Sequence, residues 1–268
     1  MIERTLTQLN LAQIADSGQC FRLLQRGPGR FRLIAAGRVL DLAQEGRRVS
    51  FHCTEEEFQT IWVPYFDLDT DYGAFLRSIP ADDVFLTQAA RFGEGVRILR
   101  QDPWEMLITF LISQQKQIPA IRGCVETLSR RYGTPIGETG EYAFPSPEAL
   151  ASCSLEELRS CALGYRAPYL YAAARSAGDL SQWSSLSDQD LLDHLTGLSG
   201  VGPKVANCIM LFGFHRIAAF PRDVWINRVI DRHYGGNFPL ERYDGFAGVI
   251  QQYLFYYARS GPKGGDAE

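Results

Sequence analysis

The stretch LSGVGPKVANC, residues 198–208, places Lys204 directly behind two glycines and a proline, at what reads as the first turn of a helix. A lysine near a helix N-terminus has two readings. It can be one more charge contact to a phosphate. Alternatively, burial and the positive end of the helix dipole disfavour an ammonium there and favour a neutral, nucleophilic amine. Such an amine attacks carbon electrophiles and forms a Schiff base, for which it needs a carboxylate partner. Asp223, in AAFPRDVWINRVIDRHYG, is the candidate. It follows Pro221 and precedes a helical run, so it reads as an N-cap whose charge the helix amides stabilise. Asp223 alone would be a structural cap. Paired with Lys204 it becomes an amine nucleophile beside a carboxylate able to stabilise positive charge developing on a sugar.

The elements that must position this pair are short helices. HLTGLSGVGPKVANCIML reads as helix, tight turn, helix over about residues 190–210, with Gly200 and Gly202 supplying the turn and Pro203 the first turn of the second helix. The backbone amides of Gly200, Val201 and Gly202 then form an anion site suited to a DNA phosphate. Lys204 and Cys208 are four residues apart, as are Gln251 and Phe255, so each pair shares a helix face. Upstream, TEEEFQTIWVPYF, QDPWEMLITFLISQQ, SPEALAS, SLEELRS and SDQDLLDHLTGL each open on a cap, at Thr54, Asp102, Ser146, Ser154 and Ser187. In QDPWE the spacing of Asp102, Pro103 and Glu105 predicts a capping box with a proline start. Between about residues 19 and 53 the pattern changes to period two, in FRLLQ, RFRLIAAG, RVLDLAQEG and RRVSFHC, with glycine turns between. The chain therefore reads as an α+β protein: an N-terminal antiparallel β-sheet domain over 1–85, then a mostly helical domain over 86–268 that contains the helix-hairpin-helix. The last residues, RSGPKGGDAE, read as a frayed tail.

Composition narrows the classes. A hydrophobic fraction of 46% with 22% charged residues is that of a globular chain. No apolar run approaches the ~18 residues of a spanning helix, and MIERTLTQLN lacks a signal-peptide pattern, so the protein is expected to be intracellular, in the cytoplasm or nucleoid, or the nucleus of a eukaryote. The six cysteines (Cys20, Cys53, Cys124, Cys153, Cys161, Cys208) show no C-x-x-C pair or zinc spacing, which predicts free thiols and no metal. The net charge of −4 weighs against a generic polyanion binder, but backbone amides and a few local arginines can grip phosphate in an acidic protein.

LSGVGPKVANC followed by FPRDVW resembles the helix-hairpin-helix DNA glycosylases with a Gly/Pro-rich loop and a catalytic aspartate. GVRILRQDPWEMLITFLIS, ALGYRAPY and FAGVIQQYLF narrow the resemblance to the 8-oxoguanine DNA glycosylase branch, from about Gly18 to Phe255. The resemblance implies a bifunctional glycosylase and lyase acting as a monomer, without cofactor or metal, on double-stranded DNA containing oxidised guanine. It makes Lys204 the Schiff-base nucleophile and Asp223 the catalytic acid. Gly18, in DSGQCFR, becomes the glycine whose carbonyl reads the extra hydrogen on N7 of the lesion, a distinction suited to a backbone acceptor because guanine itself has an acceptor there. Cys208 and Phe255 become the sandwich around the flipped base, Gln251 the reader of its pairing edge, and Tyr165 and Arg166 the wedge and filler of the opened duplex.

The departures from that pattern carry their own expectations. QQK stands where the best-known members have three asparagines, with Gln115 at the residue that fills the gap and contacts the orphaned cytosine. Ala120 replaces the family's cytosine-reading arginine, which predicts relaxed opposite-base selectivity with Arg166 left to do most of the reading. Trp225 stands in place of a phosphate-contacting histidine and Ala258 in place of that histidine's aspartate partner, with Lys116 the candidate to compensate. Within the fold the alternative is an alkylated-purine glycosylase, which activates water and has no use for Lys204. The iron-sulfur branch needs four cysteines near the C-terminus, and no cysteine follows Cys208. From another class, a non-catalytic helix-hairpin-helix DNA-binding protein would use the hairpin only to grip phosphate.

Overall fold

The computed structural model describes residues 1–176, 178 and 180–262, so residues 263–268 of the expected tail lie outside the described residues. Strands β1 (Ile2–Thr5), β2 (Leu23–Gly27), β3 (Arg30–Ala35), β4 (Arg38–Glu45) and β5 (Arg48–Phe51) form one antiparallel sheet in the order β1-β5-β4-β3-β2. Period-two patterning puts alternate residues of β2 to β5 on one face, where the register aligns Leu23 with Leu33 and Leu33 with Leu40, then Phe31 with Leu42 and Leu42 with Phe51. Helix α1 (Leu11–Asp16) and a helical run made of α2 (Glu55–Glu57), a π-helical stretch (Phe58–Trp62) and α3 (Val63–Tyr65) cover that face. The ring of Phe51 meets those of Phe58 at 4.9 Å and Phe66 at 5.9 Å. The sequence reading misses β1, which pairs through Ile2 to Thr5 with β5. Four residues are too few for a legible alternation, and the partner is remote in sequence.

The remainder is helical: α4 (Tyr72–Arg77), α5 (Val84–Phe92), α6 (Pro103–Ser113), α7 (Ile118–Tyr132), α8 (Pro147–Ala151), α9 (Leu155–Leu158), α10 (Ala167–Ser176), α11 (Asp188–Thr196), α12 (Pro203–Phe212), α13 (Val224–Tyr234) and α14 (Ala247–Ser260). Helix α6 is apolar all round and buried from Met106 to Ile112, as a central helix should be. It packs on α7 and α12, while α14 packs on α5 and α13. The sheet's core draws on residues from Leu9 to Phe66 with Leu99, whereas Tyr72 and Leu86 already belong to the larger helical core.

Local signals hold where the chemistry is local. Thr54 and Ser154 form complete capping boxes with Glu57 and Glu157, and Ser146 and Ser187 cap α8 and α11. The box predicted at Asp102 is only half made. Asp102 accepts from the Glu105 amide at 2.8 Å, but Glu105 does not return the bond. Its carboxyl lies instead near Arg22, and burial, with Asp102 nearby, raises it to about 7 against the opposing pull of Arg22.

Candidate active site

Helices α6, α12 and α14, the start of α13 and the turn after α1 meet around an inner cavity of about 40 Å³. Gly18, Phe110, Lys204, Cys208, Asp223, Gln251 and Phe255 all line it. It opens into a cleft of about 800 Å³ that adds Gln115, Lys116, Trp225 and Arg259 to the walls. Residues distant in sequence thus share one space because α12, α13 and α14 aim their first turns or inner faces at it.

Lys204 is half-buried one residue into α12, with its Nζ 5.8 Å from the centre of the Phe110 ring, a face that attracts an ammonium. Phe110 in turn stacks on Phe212 at 5.5 Å. One turn further along α12, burial pushes the Cys208 thiol up, and the neighbouring Lys204 charge pulls it partly back. Asp223 is the N-cap of α13, accepting from the Ile226 amide at 2.9 Å. One oxygen is thereby committed to the cap while the residue lines the same cavity as Lys204.

Gly18 has a left-handed backbone, φ +78°, and a Cβ there would lie 3.4 Å from the Phe255 ring. Its turn is tied down by its neighbours. Buried Gln19 donates to Ser17 Oγ (3.0 Å) and the Arg97 carbonyl (2.8 Å) and accepts from the Leu99 amide (2.9 Å). Gln101 donates to the Gln19 carbonyl at 2.9 Å. On α14, buried Gln251 donates to the Pro221 carbonyl at 3.0 Å and accepts from Gln252 at 3.1 Å, so its amide has a fixed orientation toward the cavity it lines.

The residues expected at the opposite strand form a second group. Gln115 is exposed, with a left-handed φ of +51°. Lys116 donates to the Ala162 carbonyl at 3.1 Å, and Tyr165 is 50% exposed. Arg166 is not at the surface. It is 6% exposed, donates through Nε to the Gln114 carbonyl at 2.9 Å and through Nη1 to the Leu163 carbonyl at 3.3 Å, and lies 4.3 Å over the Tyr165 ring. Ala120, where the family's arginine would be, is exposed at the start of α7. Trp225 stands in the cleft wall with the Arg228 guanidinium 5.6 Å over its ring, and Ala258 packs against the helical core.

The hairpin differs from expectation in two details. Only Gly200 needs to be glycine for conformation: its φ is +83° and a Cβ would lie 2.5–2.8 Å from the Tyr169 ring. Gly202 has an ordinary φ of −88° and open space around it, so its value is a bare N-terminus on α12. The Val201 amide is engaged by the Leu198 carbonyl at 3.1 Å, because the turn closes on itself there. Among the described residues the Gly200 and Gly202 amides have no hydrogen-bond partner.

Sequence reasoning overlooked several residues that shape this site. Phe110 faces Lys204, Gln252 orients Gln251, and Gln114 donates to the Gly200 carbonyl at 3.1 Å, tying the end of α6 to the hairpin. Gln114 and Gln252 each adjoin a residue that was singled out, which is the only signal they carry. Among the described residues no group of three or more His, Cys, Asp or Glu is placed to hold a metal, all six thiols are free, and no helix is long and apolar enough to cross a membrane.

Comparison with known proteins follows this geometry. Residues 1–107 match the 8-oxoguanine DNA glycosylase N-terminal domain, and residues 108–239 match the HhH-GPD superfamily of base excision DNA repair proteins. A protein of Methanothermobacter thermautotrophicus described as a probable N-glycosylase/DNA lyase is 33% identical over 238 residues, 76% of this chain and 74% of that one. The chain belongs to the 8-oxoguanine DNA glycosylase family. Among solved members, the Clostridium acetobutylicum 8-oxoguanine glycosylase/lyase, bound to double-stranded DNA with cytosine opposite 8-oxoguanine, superimposes with a TM-score of 0.90 at 36% identity, covering 96% of this chain and 93% of that one. The N-glycosylase/DNA lyase of Saccharomyces cerevisiae is 33% identical over 67% of this chain, which spans about half (52%) of the yeast protein's length.

Proposed function

We propose that the protein is a bifunctional DNA glycosylase and abasic-site lyase of base excision repair that removes 8-oxoguanine from duplex DNA through a Schiff base at Lys204. The observation that carries the reading is the convergence of Lys204 and Asp223 on one cavity with Gly18, Cys208, Gln251 and Phe255. An amine and a carboxylate at one opening suit a glycosidic carbon, while a thiol and a ring in the same walls suit the faces of a planar base. The Lys204 amine attacks the anomeric carbon, the bond to the base breaks, and the base leaves with that electron pair and takes up a proton. Asp223 stabilises the positive charge that develops on the sugar. Opening of the sugar ring leaves an iminium on Lys204, which acidifies the neighbouring sugar proton, and loss of that proton expels the 3′ phosphate. The protein works as a monomer, without metal or organic cofactor, in the compartment that holds its DNA.

Borohydride tests the nucleophile. Reduction during reaction with lesion-bearing duplex is expected to trap a covalent adduct in the wild type and none in Lys204→Gln. No adduct in the wild type, or an adduct that persists in the variant, rejects the assignment. The adduct also separates this reading from the two alternatives, since neither a water-activating alkylpurine glycosylase nor a binding protein forms it.

The opposite-base preference is proposed to be relaxed. Exposed Ala120 offers no guanidinium, and Arg166, the remaining candidate to read cytosine, is folded onto the Gln114 and Leu163 carbonyls. Single-turnover cleavage of 8-oxoguanine opposite each of the four bases is expected to vary by less than about tenfold, under ~1.4 kcal/mol. A strong cytosine preference overturns it.

A further inference from the structure

The turn that presents Gly18 is gripped from outside by a residue to which no role has yet been given. Arg259, on the last turn of α14, donates through Nη2 to the Asp16 carbonyl and to the Asp16 carboxylate at 2.8 Å. Its side chain is 16% exposed, so the ion pair is partly shielded from solvent, although Asp16 itself is open to it. Arg122 of α7 grips the adjacent Ala15 carbonyl at 2.6 Å. These carbonyls close the C-terminal end of α1, where a helix carries partial negative charge and gains from cations.

Arg259 also lies four residues beyond Phe255, with its guanidinium carbon 5.5 Å from that ring. Its Nη1 sits 3.6 Å from where a Cβ on Gly18 would be, and there it is buried with no hydrogen-bond partner among the described residues. One face of α14 therefore carries both the ring that packs beside Gly18 and the cation that anchors the turn.

We propose that Arg259 is a positioning residue for lesion recognition, setting the placement of the Gly18 carbonyl against Phe255. This rests on the reading of Gly18 as the group that distinguishes 8-oxoguanine from guanine. Arg259 does no chemistry at the sugar. Its loss loosens the reading of the base while leaving Lys204 and Asp223 in place.

The test compares two reactions of the full chain: single-turnover excision of 8-oxoguanine from duplex DNA, and cleavage of the same duplex carrying a preformed abasic site. The second reaction needs Lys204 but no base reading. In Arg259→Met excision is expected to fall by about 100-fold, the scale of a 1 Å misplacement, while abasic-site cleavage changes by less than about threefold. Arg259→Lys, which keeps a cation near Asp16, is expected to recover part of the loss. Unchanged excision in Arg259→Met, or an equal fall in both reactions, overturns the proposal. Gly18→Ala, run in parallel, separates the two layers. If Gly18→Ala still discriminates fully against guanine, the reading of Gly18 fails. If it loses discrimination while Arg259→Met keeps the full excision rate, only the clamp fails.

Discussion

Two left-handed glycines, Gly18 in the cleft wall and Gly200 in the hairpin that leads into α12, are held by different means. Gly200, at φ +83°, closes the hairpin with the Tyr169 ring packed against the place a side chain would take. Gly18, at φ +78°, has only ordinary van der Waals neighbours, and its turn is held in place by Gln101, Arg122 and Arg259 from distant parts of the chain and by Gln19, whose side chain is bound to the backbone of Arg97 and Leu99. The hairpin turn is confined chiefly by sterics, the Tyr169 ring of α10 filling the space beside Gly200, with one long-range bond from Gln114 to the Gly200 carbonyl. The Gly18 turn is built by long-range hydrogen bonds, which suits a carbonyl that must point accurately. Under the proposed function, the difference separates a phosphate grip, tolerant in direction, from base reading, which is not.

The largest loss of stability is expected at Gly200. Gly200→Ala combines left-handed strain with overlap against the Tyr169 ring, whose Cγ would lie 2.5 Å from the new Cβ, and is expected to cost about 3–4 kcal/mol in urea denaturation. Gly200→Ala with Tyr169→Ala relieves the overlap but not the backbone strain, so the double variant should recover part of the loss from the steric origin.

The polar side of the comparison is probed through Asp67. The Arg97 carbonyl holds Gln19, while the Arg97 guanidinium holds the 66–70 turn through the carbonyls of Phe66, Asp67 and Thr70. Asp67 is buried there and bound to Thr70, Tyr72 and Arg100, with His215 at 3.4 Å. Burial pushes its carboxyl upward, but the His215 and Thr70 hydrogen bonds and the Arg100 charge outweigh it and hold the carboxyl below the ordinary range. A depressed carboxyl stabilises the fold above its unfolded value, about 3.9, and the contribution is lost as pH falls through the folded value. Asp67→Asn is therefore expected to cost about 2 kcal/mol at pH 7. The gap to wild type should narrow below about pH 4, measured by denaturation at each pH.

Gly18→Ala is expected to be milder. With its Cβ 3.4 Å from Phe255, the stability loss is expected to be only the left-handed strain, about 1 kcal/mol. A thermal melt close to wild type alongside lost discrimination between 8-oxoguanine and guanine would assign the turn to reading rather than folding. The smallest effect is expected at Gly202, where a methyl enters open space. Gly202→Ala should cost about 0.5–1 kcal/mol as a poorer N-cap and weaken DNA binding a few-fold in a salt titration.

Sequence patterns carried some of this architecture. Thr54, Ser154 and Asp223 are legible as caps because a cap is decided within four residues. The sheet from β2 to β5 is legible because alternation and turns are local, whereas β1 is not, because its pairing with β5 joins the start of the chain to residues near 50. At the site, Lys204 with Cys208 and Gln251 with Phe255 are legible as shared helix faces. The burial of Arg166 on the Gln114 carbonyl, the engagement of the Val201 amide and the clamp of Arg259 on Asp16 are not, since each is a competition among contacts that only the folded chain brings within reach.

By itself the sequence determined which residue types could do chemistry and on which local elements they ride: an amine at one helix start, a carboxylate at another, a glycine hairpin between helices. The tertiary structure alone decided that these face one cavity, that Gly18 is brought against Phe255, and that polar side chains hold that turn from α7, α14 and the segment just before α6. The physical reason is range. Caps, turns and helix faces are set by neighbours a few residues away, while the direction of a carbonyl in a pocket is set by whichever distant side chains fold against it.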